Sequence, residues 1–172
     1  LSFKQYAVDD MVRQVIRKYA KIFISKKIKM NFKPTGRYIV TDDKWFVFVL
    51  EQFISNALKY TKKGQISIYM KEKSLVIEDT GIGIPKDSLN LIFDRFYKTD
   101  LSRGKDKLGS GLGLAISQRL AERMGGRILL RSELGKGSVF TLELEHVPYI
   151  GNAAEGISGK LERFQPVEVP QW

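Results

Sequence analysis

Cysteine is absent from the 172 residues, and histidine occurs once, at position 146. The first absence removes disulfides, thiolate nucleophiles and Cys-based zinc sites, and fits a reducing compartment. The second rules out a metal site built from several histidines and leaves little material for triad chemistry. Long apolar runs are missing too. The longest, Trp45 to Leu50, is far short of the roughly 18 residues a membrane span needs. Acidic residues are few, 19 against 29 Lys and Arg, for a formal charge of +10. Residues 1–37 alone carry a net +8, residues 38–108 a net +2, and residues 109–172 balance. A nucleic-acid module spreads basic residues over a binding face with aromatics between them, so an excess confined to one terminal segment argues against that class. A solvated helix face or a docking surface for an acidic partner or membrane remains open for residues 1–37.

What is present is an ordinary globular mixture, 43% hydrophobic and 28% charged. Residues 8–26 place Val8, Met11, Val12, Val15, Ile16, Tyr19, Ile22 and Phe23 at helical spacing with basic residues between, which predicts an amphipathic helix. Short alternating runs at 27–32 and 37–42 predict strands. A second helix is expected over about 43–60, capped by Thr41 or Asp42. Residues 65–72 and 74–79 predict a hairpin, a short helix follows Pro85, and another helix opens near Ser110 and stops at Gly125-Gly126. Strands at 127–133 and 138–145 close the pattern. Helices and strands are intermixed, with hairpins in the middle and at the end. That order predicts an α+β fold, a two-layer sandwich in which a mixed sheet carries helices on one face. Past Glu145 three prolines, three glycines and weak periodicity predict a tail or linker, so the expected division is a domain over 1–146 and a tail over 147–172.

Three stretches carry chemistry. The helix at 43–60 is apolar almost all round, yet Gln52, Asn56, Lys59 and Tyr60 share one stripe. A polar stripe on a buried helix must face something polar, either solvent at an edge or a ligand. An Asn carbonyl suits Mg²⁺ when a ligand's phosphates already supply the negative charge, and Lys59 would reach those phosphates as a point charge. Next, Glu78-Asp79-Thr80-Gly81-Ile82-Gly83-Ile84-Pro85 follows an apolar strand. An Asp there needs partners; it either braces a turn or accepts from a ligand such as the adenine amine. Third, Gly109-Ser110-Gly111-Leu112-Gly113-Leu114 runs into a helix, where bare backbone N–H groups suit phosphate. It is neither a P-loop nor a dinucleotide fingerprint. Between the last two lies an aromatic cluster (Phe93, Phe96, Tyr97) followed by Lys98 and a polar run to Leu108. A lid closing over a nucleotide accounts for it.

In this order, FISNALKYT, EDTGIGIP, IFDRFYK and GSGLGLAIS resemble the N, G1, F and G2 boxes of the sensor histidine kinase ATP-binding domain. The resemblance covers roughly residues 8–145. It implies the Bergerat α/β sandwich, shared with gyrase-, Hsp90- and MutL-type ATPases, with a flexible ATP lid. The box wording, including Leu50-Glu51-Gln52, is similar to Firmicutes sensors of the bacitracin-sensing intramembrane type. The resemblance implies ATP and Mg²⁺ as cofactors, with Asn56 on the metal and Gln52 as a second candidate ligand. It implies Lys59 on the phosphates, Tyr60 near ribose or base, and Asp79 on the adenine amine. Gly81, Gly83 and Ile84 would shape that pocket, and Ser138 would stand where a Thr often completes it. Tyr97 and Lys98 would contact ligand from the lid, Lys98 replacing a frequent Arg. Gly109, Gly111, Leu112, Gly113 and Leu114 would wrap the triphosphate. Asn56, Lys59 and Lys98 are the residues expected to act in catalysis.

Two departures bear on mechanism. The hydrolysing branch carries a Glu at the turn where Gln52 stands, and Gln cannot accept a proton, which argues against efficient hydrolysis. Glu51 lies about 100° round the helix. The acceptor histidine of the family sits on a long helix, whereas His146 precedes Val147-Pro148, which excludes a helix there. The expectation is a catalytic domain that donates the γ-phosphoryl group to a histidine on a separate dimerisation and acceptor domain. A response regulator is the expected downstream partner, and nucleic acid is not expected to be one. The fragment is expected to be monomeric and cytoplasmic, the full kinase a membrane-anchored homodimer. The alternative is an ATPase or ATP-driven clamp of the same superfamily.

Overall fold

The computed structural model describes residues 3–89, 91–92, 113–144, 147 and 149–152. Two sheets and a helical layer make up the architecture. Strands β2 (Lys29–Phe32), β4 (Gln65–Lys71), β5 (Ser74–Asp79), β7 (Gly137–Glu143) and β6 (Arg127–Glu133) form a five-stranded sheet in that spatial order. The β2/β4 pair is parallel and the other pairs are antiparallel, so the sheet is mixed. Alternation along these strands turns Ile66, Ile68, Leu75, Ile77, Phe140 and Leu142 to one face, where all are buried.

The helical layer covers that face. Helix α1 (Val8–Lys26), α2 (Asp43–Tyr60) and α4 (Gly113–Arg123) are the principal helices, with α2 packed between the other two; α3 (Lys86–Leu89) is a single turn. Apolar nearly all round, α2 occupies the centre of the core, and its Phe53 ring stacks on Phe140 of β7 at 5.0 Å and 28°. Truncating either ring would cost about 3–5 kcal/mol. Asp42 caps α2 by accepting from Lys44 N–H at 3.0 Å, while the Thr41 hydroxyl takes the Trp45 indole N–H instead. On α1, Gln14, Arg17, Lys18 and Lys21 face solvent, as the amphipathic pattern requires, but Arg13 is buried. Asp9 in its first turn is buried as well. It accepts from Thr35 N–H (2.8 Å), Thr35 O–H (2.7 Å) and Gly36 N–H (2.9 Å), fastening α1 to the β2–β3 connection.

The second sheet does not follow from the sequence patterns. β1 (Lys4–Ala7) and β8 (Tyr149–Asn152) flank β3 (Arg37–Thr41) on either side, both antiparallel. Residues 149–152 therefore belong to a sheet. Four residues are too few for periodicity to register, and their pairing is with β3, more than a hundred residues away in sequence for β8. Among the described residues no helix is long and apolar enough to cross a membrane.

Candidate functional site

Asp79 ends β5 on the inner, helix-facing side of the sheet, in the same alternation phase as Leu75 and Ile77. Its Oδ1 accepts from Gly81 N–H at 2.9 Å and Ser138 N–H at 3.3 Å. Among the described residues no cation pairs with it. Burial pushes its pKa from 3.8 up to about 6, against the opposing pull of Gly81 N–H, Ser138 N–H and the Thr61 hydroxyl. Thr61, at the end of α2, is fully buried and its hydroxyl makes no hydrogen bond of regular geometry.

The loop after Asp79 is stitched on both sides. Ile82 N–H donates to Tyr60 O at the C-terminus of α2 (3.0 Å), and Ile82 O accepts from Gly135 N–H in the β6–β7 turn (2.8 Å). Ile84 N–H donates to Ser132 Oγ at 2.7 Å. Close approach explains the glycines at 81 and 83. A Cβ on Gly81 would lie 2.3 Å from Tyr60 O, and one on Gly83, at φ +76°, would lie 2.1 Å from Glu133 O. Gly81, Gly83 and the buried Ile84 thus form a tight backbone wall between β6 and the C-terminus of α2, where the carbonyl of the buried Tyr60 meets it.

Along α2 the polar stripe leads away from this wall. Asn56 is buried, and its Nδ2 donates to Gln52 O at 2.7 Å, which leaves Oδ1 as the group available for a ligand. Gln52 Oε1 packs against the first residue of α4, where a Cβ on Gly113 would lie 1.7 Å from it. Gly113 and Leu114 are buried, and Ser117 O–H holds Gly113 O at 2.6 Å. Lys59 is half-buried, its ammonium 5.9 Å from the Tyr60 ring centroid. Glu51 is engaged elsewhere, on Lys18 of α1 at 3.1 Å. The fold therefore gathers Asp79, Gly81, Gly83, Ile84, Tyr60 and Ser138 at one end of the stripe and Asn56, Gln52, Gly113 and Leu114 at the other. Tyr97, Lys98, Gly109, Gly111, Leu112, the lid and His146 lie outside the described residues.

No group of three or more His, Cys, Asp or Glu side chains poised for a metal occurs among the described residues. The donors on α2 are neutral oxygens, which fit a divalent ion only if the ligand brings the negative charge. A hollow of about 430 Å³ opens at the same strand ends, reaching Asp79, Ser132 and Ser138 there and lined along the sheet by Ser67, Glu78, Arg131 and Val139. Those last four residues alternate to the outer face of the sheet, opposite the Asp79 carboxyl. Sequence reasoning passed over Thr61 and Ser132. Ser132 left a signal, a polar residue in the inward phase set by Ile128 and Leu130.

Residues 41–148 match the family of histidine kinase-, DNA gyrase B-, and HSP90-like ATPases. The chain is 40% identical over 139 residues to the aerobic respiration control sensor protein ArcB of Escherichia coli K12, covering 76% of this chain and 18% of ArcB. It is 44% identical over 95 residues to the signal transduction histidine-protein kinase ArlS of Staphylococcus aureus USA300, covering 52% of this chain and 21% of ArlS. The chain thus spans about a fifth of these relatives. Among solved structures, full-length ShkA in complex with AMPPNP superposes with a TM-score of 0.73 at 29% identity, over 89% of this chain and 32% of ShkA. The catalytic domain of the histidine kinase ThkA shares the fold, at a TM-score of 0.67 and 21% identity over 86% of this chain and 96% of that one. On the family match, the identity to sensor kinases and the shared fold, the chain belongs to the histidine kinase-, DNA gyrase B- and HSP90-like ATPase family.

Proposed function

We propose that this chain is the catalytic domain of a two-component sensor kinase, binding MgATP and donating the γ-phosphoryl group to a histidine on a separate dimerisation and acceptor domain. The observation that carries this reading is Asp79, a buried carboxylate held by backbone N–H groups and, among the described residues, by no cation. Such a group calls for a donor from a ligand, and the exocyclic amine of adenine is one. From Tyr60 beside that end to Gln52 at the other, eight residues of α2 span about 12 Å, a reach suited to a nucleoside joined to a phosphate chain.

Each residue of the site then has a part. Asp79 and Ser138 hold the base, Gly81, Gly83 and Ile84 wall it in, and Tyr60 packs beside it. Asn56 Oδ1, with Gln52 Oε1 as second candidate, would hold Mg²⁺, which when bound neutralises phosphate charge. Lys59 supplies positive charge nearby, Gly113 and Leu114 open the helix that receives the phosphates, and Gly109, Gly111 and Leu112 precede them. Tyr97 and Lys98 are assigned ligand contacts on the resemblance of their motif alone. In the transfer the bond from the γ-phosphorus to the bridging oxygen breaks, ADP leaves, and a bond forms to an imidazole nitrogen of the acceptor, whose N–H proton goes to solvent. No general base for water is at hand on α2, because Gln52 is not one and Glu51 is paired with Lys18. This favours transfer over hydrolysis.

The names of ArcB and ArlS, the AMPPNP bound by ShkA and the shared fold support the same reading. It extends to a homodimeric, membrane-anchored kinase with this domain in the cytoplasm and a response regulator as the final acceptor. The wording of the boxes supports the finer assignment to the bacitracin-sensing intramembrane type. Radiolabelled ATP with the dimerisation and acceptor domain of the same kinase supplied separately tests the function. Label on the acceptor histidine is the expected result; phosphate release without transfer would establish the ATPase or clamp reading in its place.

A further inference from the structure

Three residues stand in one row across the sheet. Asp79 of β5 is the register partner of Ser138 on β7, and Ser138 is the register partner of Ser132 on β6. All three therefore project from the same face. The Ser132 hydroxyl has three neighbours: Ile84 N–H at 2.7 Å, Gly137 O at 3.0 Å and Ser138 Oγ at 2.7 Å.

A hydroxyl carries one proton and two acceptor lone pairs, so these contacts can be counted. Ile84 N–H is a donor and must take a lone pair. Gly137 O is an acceptor and must take the proton. The remaining lone pair is all that Ser132 can offer Ser138, so the Ser138 hydroxyl is the donor between the two serines. Its own proton is then spent on Ser132, and what it presents towards Asp79 and the ligand is oxygen lone pairs alone.

We propose that Ser132 is a specificity-determining residue that acts through Ser138. By absorbing the Ser138 proton it makes Ser138 an acceptor beside the Asp79 carboxylate, so that these two groups match a purine bearing a 6-amino group and oppose one bearing a 6-oxo group. The inference rests on the reading of this site as a nucleotide pocket and adds to it the residue that fixes its hydrogen-bond polarity. Without the Ser132 hydroxyl, the Ser138 O–H is free to rotate and donate, and a 6-oxo group gains a partner. The same change leaves Ile84 N–H and Gly137 O without their side-chain partner, so some general loss of affinity accompanies it. A general loss lowers binding of both purines together. A loss of polarity changes their ratio.

The ratio is the readout. Calorimetric titration of the chain with MgATP and with magnesium inosine triphosphate, which carries a 6-oxo group and an N1 proton where ATP has a 6-amino group and a bare N1, gives two dissociation constants for each variant. The wild-type chain is expected to prefer ATP. Ser132→Ala is expected to shrink that preference about tenfold, and Ser132→Thr, which keeps the hydroxyl, to retain it. Ser138→Ala is expected to shrink it too, independently of whether Ser132→Ala folds. Adding Ser132→Ala to Ser138→Ala should then move the ratio by no more than about twofold, since the two act through one hydroxyl. An unchanged preference in folded Ser132→Ala, or in Ser138→Ala, overturns the proposal. Equal affinity of the wild-type chain for the two nucleotides also overturns it while leaving nucleotide binding intact. Failure to bind either nucleotide overturns the reading of the pocket itself.

Discussion

Asp79→Asn is expected to make the empty domain more stable while removing its grip on ATP, because the carboxylate is held where the folded chain would prefer it neutral. Its pKa rises from 3.8 to about 6, chiefly through burial. That displacement of about two pKa units corresponds to about 3 kcal/mol at most of destabilisation when the group is ionised. The sign follows from proton counting. Between about pH 4 and pH 6 the folded chain binds more protons at this position than the unfolded chain, so stability falls as pH rises through that window and is flat above it. An amide is neutral throughout and avoids the penalty. Its oxygen can still accept from Gly81 and Ser138, and its nitrogen has the Thr61 hydroxyl, which makes no regular hydrogen bond, as an acceptor nearby. Allowing for imperfect geometry, a gain of about 1–2 kcal/mol at pH 8 is expected, or about 2–8 °C in Tm for a chain of this size. Lowering the pH to about 4.5 should erase about two-thirds of the difference, since protonating Asp79 in the folded chain then costs only about 1 kcal/mol; all other carboxyls are common to both proteins and cancel. Binding should move the other way. The amide has one oxygen, and two backbone N–H groups already claim it, so its NH₂ would face the adenine amine. A loss of at least about tenfold in ATP affinity is expected. Thermal denaturation of both proteins across pH 4.5–8, with and without MgATP, checks every part. A lower Tm for Asp79→Asn at pH 8, or a stability difference that does not shrink on acidification, would refute the electrostatic argument; retained ATP affinity would refute the assignment of the carboxylate to the base.

Two further outcomes are expected. Asn56→Ala removes the oxygen assigned to the metal together with the bond to Gln52 O. It should change stability by no more than about 1 kcal/mol, because Ala is the better helix former, while phosphoryl transfer falls by at least about a hundredfold in the radiolabel assay. Gly83→Ala places a Cβ 2.1 Å from Glu133 O at φ +76° and should cost at least about 2 kcal/mol in urea denaturation. Gly135→Ala, at φ +83° but with nothing within 4 Å of the new atom, should cost only about 1 kcal/mol.

How far the sequence could be read depended on the range of the interactions involved. Helix α2 begins and ends where its apolar pattern and Asp42 cap predict, and the 65–71/74–79 hairpin matches its alternation, because caps, turns and periodicity act over a few residues. Asp79 was legible as well, since a carboxylate at the end of an apolar strand before two alternate glycines breaks the expected pattern. Arg13, one of the basic residues between the apolar positions of α1, is buried because its place on the helix is settled by packing. β1 and β8 escaped notice because four-residue strands carry no periodicity and exist by pairing with β3.

By itself, then, the amino-acid sequence determined the layers, the order of the motifs and the residue types available: one histidine, no thiol, neutral oxygens on α2 and a carboxylate, Asp79, at the end of β5. Those are properties of composition and local spacing. Tertiary structure alone decided that Glu51 is spent on Lys18, that Gln52 meets Gly113, and that Asp79, Ser138 and Ser132 fall into one row. The reason is physical. Strand register and helix packing join residues that local spacing does not, up to 61 positions apart for Gln52 and Gly113, and hydrogen-bond polarity at Ser138 depends on counting the protons of a neighbour that only the folded sheet supplies.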